Sequence, residues 1–409
     1  MNTAWKKVKL KDIGSIITGN TPPRKNPEFY GNHTLFIKPT DIQEDVRYTK
    51  NPEECYSELG FKKYKNSLIP KGSTCVVTIG SIGKKMTQAH CDCFVNQAVN
   101  AVVPSKDYDE NFVYYLLKYN LNQVKGLDSG TASGRENVSK TAFSNIEVSV
   151  PNALETQTQI ANILSAYDDL IENNLRRIKL LEEMAELTYR EWFVNLKIDG
   201  KTLEIDKNTG LPFGWEYKPA ENIFNIKIGK TPPREEEEWF QKLPESIKWS
   251  SIKDINNSSV FILETNENIT SVGVQRFNMN IAPKNTLILS FKLTVGKIAI
   301  TTEQMVTNEA IAHFNIIDNA TMTVEYIYCY LKCFNYDSLG STSSIGTAIN
   351  SKIVKSMPIL QPTKEFIDEF DNIVKPIFKE ILNLSHQNRL LKESRDILLP
   401  RLMSGEVGV

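Results

Sequence analysis

Two long stretches of this chain place apolar residues alternately four and three positions apart without a break. The first runs through Ile160, Leu164, Tyr167, Ile171, Asn174, Ile178, Leu181, Ala185, Thr188 and Trp192. The second runs through Phe370, Val374, Ile377, Ile381, Leu384, Asn388, Leu391, Arg395, Leu398 and Leu402. Such spacing keeps a stripe on one side of a helix and marks a coiled-coil seam. A lone helix cannot bury its stripe, so the two are expected to pack on each other. Each seam holds one asparagine near its middle, Asn174 and Asn388, a residue type that fixes register at some cost in stability. Pro376 has no amide hydrogen and predicts a kink or break in the second run.

Elsewhere the period shortens. LFIKPTDI (35–42), STCVVTIGSIG (73–83), NTLILSF (285–291) and GKIAITT (296–302) are β-type runs bounded by turn residues. CDCFVNQAVNAVV (91–103) reads as one strand-like run. A helical run follows in each half, NFVYYLLKYNLNQV (111–124) and VEYIYCYLKCF (324–334).

These patterns repeat. Trp5–Arg24 and Trp215–Arg234 share 8 of 20 positions without a gap, both ending TPPR. At a nearly constant offset, FIKPTDI (36–42) answers to WSSIKDI (249–255), SIGKK (81–85) to TVGKI (294–298), and VNQAVNAVVP (95–104) to TNEAIAHFNI (307–316). The chain is a duplicated domain, with a unit far longer than a solenoid repeat. The boundaries read as a globular part at 1–152, a helix at 153–197, a linker with Asp-Gly and Leu-Pro turn signals at 198–214, a second globular part at 215–363 and a second helix at 364–409.

Charged residues make up 24% of the chain and hydrophobic ones 41%, which excludes a disordered chain. No apolar run reaches membrane-spanning length, and the N-terminus lacks the apolar core of a signal peptide. Six cysteines without a CxxC pair fit a reducing compartment, so a soluble, cytoplasmic protein is expected. The net charge of −1 would not by itself point to nucleic acid. It is unevenly spread: residues 1–150 carry 20 basic against 15 acidic residues, and residues 215–363 carry 14 against 15.

Catalytic patterns are absent. GKT at 229–231 lacks the P-loop glycine, since position 224 is phenylalanine. TPPR differs from the Asn-Pro-Pro-aromatic loop of amino-methyltransferases at both chemical positions, and reads as a rigid turn. His90, Cys91 and Cys93 cluster without a fourth metal ligand, and none of the four histidines forms a nucleophile–base pair. Before any resemblance is weighed, a protein-binding scaffold with duplicated domains and an unrecognised methyltransferase both remain open.

Several segments resemble the specificity subunits of type I restriction-modification systems. They are the opening Trp with its Gly-x-Thr-Pro turn in both copies, the helix end LLEEMAELTYREWFVNLKIDG (180–200) followed by FGW, and the C-terminal RLLKESRDILLPRLMSGEV (389–407). The resemblance covers nearly the whole chain. It implies an α+β fold with two tandem target-recognition domains joined by two long helices, which form an antiparallel coiled coil with pseudo-twofold symmetry. It further implies that each domain reads one half of a bipartite, asymmetric site in double-stranded DNA. The helices would set the spacer and dock two methyltransferase subunits, with restriction and translocase subunits joining through the complex. No catalysis or cofactor is expected in this chain; S-adenosylmethionine, ATP and Mg would belong to partner subunits.

Base edges are read by side chains that donate and accept hydrogen bonds, and phosphates are held by cations. On that basis the candidate DNA contacts are Thr21, Arg24, Lys25, Lys84, Lys85, Thr131, Ser133, Arg135, Asn137 and Lys140 in the first copy. In the second they are Thr231, Arg234, Lys297, Ser343, Ser344, Thr347, Asn350 and Lys352. The expected subunit interface comprises Ile171, Asn174, Ile178, Leu181, Ile381, Leu384, Asn388 and Leu391. The acidic run Glu235–Glu238 and the neutral second domain depart from what a DNA-binding surface calls for.

Overall fold

The computed structural model describes residues 5–128, 136–292, 294–317, 321–339 and 349–409. They form two compact units, one of residues 1–171 with 390–409 and one of residues 172–389. Each unit therefore takes one globular part and a piece of both long helices, a division that linear boundaries cannot express.

In the first unit a four-stranded antiparallel sheet has the order Gly14–Thr18, Val99–Pro104, Thr74–Val77, Met86–Gln88. Its register sets Ile17 opposite Ala101 and Ala101 opposite Cys75. A second sheet joins Tyr30–Gly31, Glu54–Tyr56, Thr34–Ile37 and Phe94–Val95, and Trp5–Lys9 pairs with Glu147–Pro151. Helix Glu110–Tyr119 starts where Asp109 accepts from the amides of Asn111 and Phe112, and it is buried from Phe112 to Leu117. An N-cap of this kind satisfies donors that have no partner within the helix.

The second unit repeats this plan. Phe224–Ile228, Ile311–Ile316, Leu287–Ser290, Ile298–Thr301 and Phe261–Ile262 form the main sheet. Glu216–Pro219 pairs with Pro358–Gln361, and helix Val324–Cys333 is capped by Thr323. Asp199 and Gly200, both at positive φ, close a small hairpin between Lys197–Ile198 and Lys201–Thr202.

The first long helix is Leu154–Tyr189, ending in a π-turn at Arg190–Val194, and the second is Lys364–Met403. In the first unit, Ile160, Ala161 and Leu164 share a core with Leu399, Leu402 and Met403. In the second, Ile178, Ala185, Tyr189 and Phe193 share one with Phe370, Val374, Ile381 and Leu384. In both units the start of one helix lies against the end of the other, which makes the pairing antiparallel. Asn174 Nδ2 donates to Asn388 Oδ1 at 3.0 Å, so the two polar seam positions meet.

Three expectations change. Pro376 does not break its helix, which is continuous from Lys364 to Met403. Burial of Ile377, Phe378 and Ile381 in the second core offsets the lost hydrogen bond, each such side chain contributing about 1.5–3 kcal/mol. The residues expected at a subunit interface are instead spent on the chain's own packing. Ile171, Asn174, Ile178, Ile381, Leu384 and Asn388 are buried, and Leu181 and Leu391 half-buried, which leaves little of any of them for another protein. The run 91–103 is not one strand, because a turn at Asn96–Ala98 separates Phe94–Val95 from Val99–Pro104.

The joints between sheet and helices differ in chemistry. In the first unit Arg395, 1% exposed, donates to Asp168, which also accepts from Tyr115, while Arg47 donates to Gln88, Asn111 and Ser165. In the second unit the joint is aromatic: Phe378 packs on Phe261 and Tyr328, and Phe193 on Trp215, Tyr326 and Phe370. The C-terminal segment closes on the N-terminal strand. Gly405 has φ +74°, and a β-carbon there would lie 2.8 Å from Trp5 Nε1. No helix among the described residues is long and apolar enough to cross a membrane.

Candidate nucleic-acid interface

At one end of the main sheet of the first unit, four sequence-distant segments are tied together. Gly19 N donates to Val99 O and Asn20 N to Val95 O, which presses the Thr-Pro-Pro-Arg turn onto the Asn96–Ala98 turn. A β-carbon at Gly19 would lie 2.2 Å from the Val95 and Asn96 carbonyl oxygens, so only glycine permits this approach. Asn96 Oδ1 accepts from Ala98 N at 2.9 Å and shapes that turn. Thr78 N then donates to Ala98 O at 2.8 Å, bringing in the hairpin turn that leads through Gly83, φ +73°, to Lys84. Gly80 N donates to Glu136 O and Val138 N to Thr78 O, which adds the end of the Ser/Thr/Gly-rich loop.

The second unit makes the bonds between the turns with other residues. Gly229 N donates to Ile311 O, Lys230 N to Thr307 O, and Phe291 N to Ala310 O. Asn308 Oδ1 accepts from Ala310 N at 3.0 Å. Gly229 approaches the Asn308 carbonyl as Gly19 does Asn96, and Gly296, φ +83°, precedes Lys297.

The sequence candidates fall into three groups. Lys25, Lys84, Lys140, Lys297 and Lys352 are exposed. Others serve the chain itself: Lys85 Nζ donates to Pro39 O at 2.9 Å, Asn137 N to Asp128, and Asn350 caps helix Ser351–Ser356. Arg24 forms a two-pronged pair with Glu54 at 2.7 and 3.0 Å and lies 4.7 Å over Tyr30. Arg234 pairs with Glu267 at 2.9 Å and lies over Phe240 and Trp249. The Arg24 hydrogen bond holds the Glu54 carboxyl below its usual range. Thr131, Ser133, Arg135, Ser343, Ser344 and Thr347 lie outside the described residues.

Two residues at the centre of the clusters were not among the candidates. Thr21 Oγ1 donates to Gln97 Oε1, and Thr231 Oγ1 to Glu309 Oε2. The signal lay in the aligned segments VNQA and TNEA, hidden because the run around Gln97 looks like continuous strand. Other chemistry is sparse. His90 and Cys91 stand 3.5 Å apart, and no group of three or more His, Cys, Asp or Glu among the described residues could hold a metal.

The family model of the type I restriction modification DNA specificity domain matches the chain twice, over residues 2–183 and 212–384. The chain belongs to this family of specificity subunits. Its members supply DNA recognition to type I systems and are not their catalytic chains. The type I restriction enzyme MjaIX specificity subunit of Methanocaldococcus jannaschii is 25% identical over 414 residues, covering 99% of this chain and 94% of the relative. The HindI specificity subunit of Haemophilus influenzae is 27% identical over 328 residues, covering 65% and 70%. In fold, this specificity subunit is similar to the crystal structure of the type I S subunit from M. genitalium, with a TM-score of 0.57, 16% identity, and 98% and 96% of the two chains covered.

Proposed function

We propose that this specificity subunit reads a bipartite site in double-stranded DNA, one half per loop cluster, in the cytoplasm. The observation that carries this is the duplication of the cluster, with the same bonds between the turns made twice by two halves of the chain that have otherwise diverged. Lys84 and Lys140 in the first unit, and Lys297 and Lys352 in the second, hold phosphates. In the second unit Glu235, Glu237 and Glu238 beside the turn repel phosphate, so anchoring falls to those lysines. Methylation and cleavage, with S-adenosylmethionine, ATP and Mg, belong to partner chains. Replacing residues 1–152 by the equivalent segment of a relative should change one half of the methylated motif, read by genome-wide mapping of modified bases. A change in both halves would show joint reading and sink the modular scheme.

The helices dock two methyltransferase subunits through their outer faces. Support comes from exposed apolar residues that recur at the repeat offset: Ile163 and Ile373, Leu180 and Leu390, and Leu187 and Ile397, the last pair 66% and 62% exposed. A patch present once per unit suits two copies of one partner. Leu187→Asp and Ile397→Asp should each leave the melting temperature unchanged and remove one methyltransferase subunit, counted by native mass spectrometry. Retention of both subunits in the double variant would place the docking face elsewhere.

A further inference from the structure

Each loop cluster combines a scaffold common to both copies with a central position that differs. Gly19, Thr21, Asn96 and Ala98 make in the first unit the contacts that Gly229, Thr231, Asn308 and Ala310 make in the second. Between the asparagine and the alanine stands Gln97 in one copy and Glu309 in the other, both exposed and both accepting from the threonine of the neighbouring turn. Neighbours that hold a turn have been kept while the outward side chain has changed its hydrogen-bonding character. This is the arrangement expected of a reading position on a fixed frame.

We infer that Gln97 and Glu309 each read a base edge, one per half-site; this rests on the loop clusters being the DNA interface. An amide both donates and accepts and matches the N6 and N7 of adenine, whereas an ionised carboxylate only accepts and matches the N4 amino group of cytosine. The threonine hydroxyl takes one lone pair of the glutamine oxygen and leaves both amide hydrogens and the second lone pair for a base. The Glu309 carboxylate accepts from Thr231 and from its own backbone amide, and its two oxygens have further lone pairs to offer a base. Thr21 and Thr231 are positioning residues: the tether fixes the side chain before DNA arrives, so less rotamer freedom is lost on binding. Glu54 and Glu267 already occupy part of the neighbouring guanidinium groups, which leaves the central side chain as the less committed reader on each turn.

The test uses the full chain in complex with its methyltransferase partner, selecting from duplexes randomised in both half-sites. Glu309→Gln should change the preference at one base pair of the second half-site from cytosine to adenine, with discrimination for the original base falling roughly tenfold or more. Gln97→Glu should do the reverse in the first half-site. Thr231→Val should blunt discrimination at that same position while keeping the preferred base. Glu309→Asp, which keeps the charge on a shorter stem, serves if Glu309→Gln melts early, and should likewise lose discrimination at that one position. Unchanged motifs in folded variants overturn the inference and leave the interface reading intact, as does a uniform loss of affinity across all sequences. A wild-type complex that selects no sequence overturns the interface reading itself.

Discussion

Single atoms decide whether the clusters form. A β-carbon on Gly19 or Gly229 would meet backbone carbonyl oxygens at 2.2 Å, and backbone cannot rotate away as a side chain can. Gly19→Ala and Gly229→Ala should each cost about 1–3 kcal/mol, measured by denaturant unfolding, and relax only the half-site of the unit concerned. His313 is fully buried, with Nε2 2.7 Å from Thr307 Oγ1 and Nδ1 lacking a partner, and burial lowers its pKa to about 4. Its folded value lies below the unfolded one of about 6.5, so the unfolded chain takes up the proton first as pH falls. The contribution of the neutral ring is complete above about pH 6.5 and is lost on descent towards pH 4. His313→Gln should flatten the pH dependence of the melting temperature across that window. An unaltered slope would assign the dependence to other groups.

At the scale of elements, the seam was legible because its spacing is purely geometric, and its two asparagines do meet. Asn388 Nδ2 is nonetheless buried without a hydrogen-bond partner, so the pair costs stability while fixing register. Replacing Asn174 and Asn388 together by leucine should raise the denaturation midpoint; a lower midpoint would mean that the pair is net stabilising. The two buried helices were also readable from their period. The Asn96–Ala98 turn was not, because a side-chain-to-backbone bond makes it within an apolar run that alternates like a strand. The Arg47 network was equally hidden, since Gln88, Asn111 and Ser165 are far apart in sequence and each is common on surfaces. A break at Pro376 does not occur, because tertiary burial outweighs a local penalty. The arginines of the turns were identified as DNA contacts from residue type alone, and no pattern in the sequence announces their carboxylate partners.

Across the whole molecule, one design occurs twice, and each unit takes a piece of both long helices. If helix length sets the number of unread base pairs, adding four residues beside Asn174 and four beside Asn388 lengthens each helix by about 6 Å. The methylated motif should then keep both halves and gain about one or two base pairs between them, at roughly 3.4 Å per pair; an unchanged spacer in an active complex would exclude the helices as the ruler. The contact between Gly405 and Trp5 carries a separate consequence. It brings the two ends of the described chain together within one unit, in the place where Phe193 meets Trp215 in the other. A gene rearranged so that a short linker joins the present termini, and translation starts within the 198–214 connection, should yield a protein of unchanged specificity.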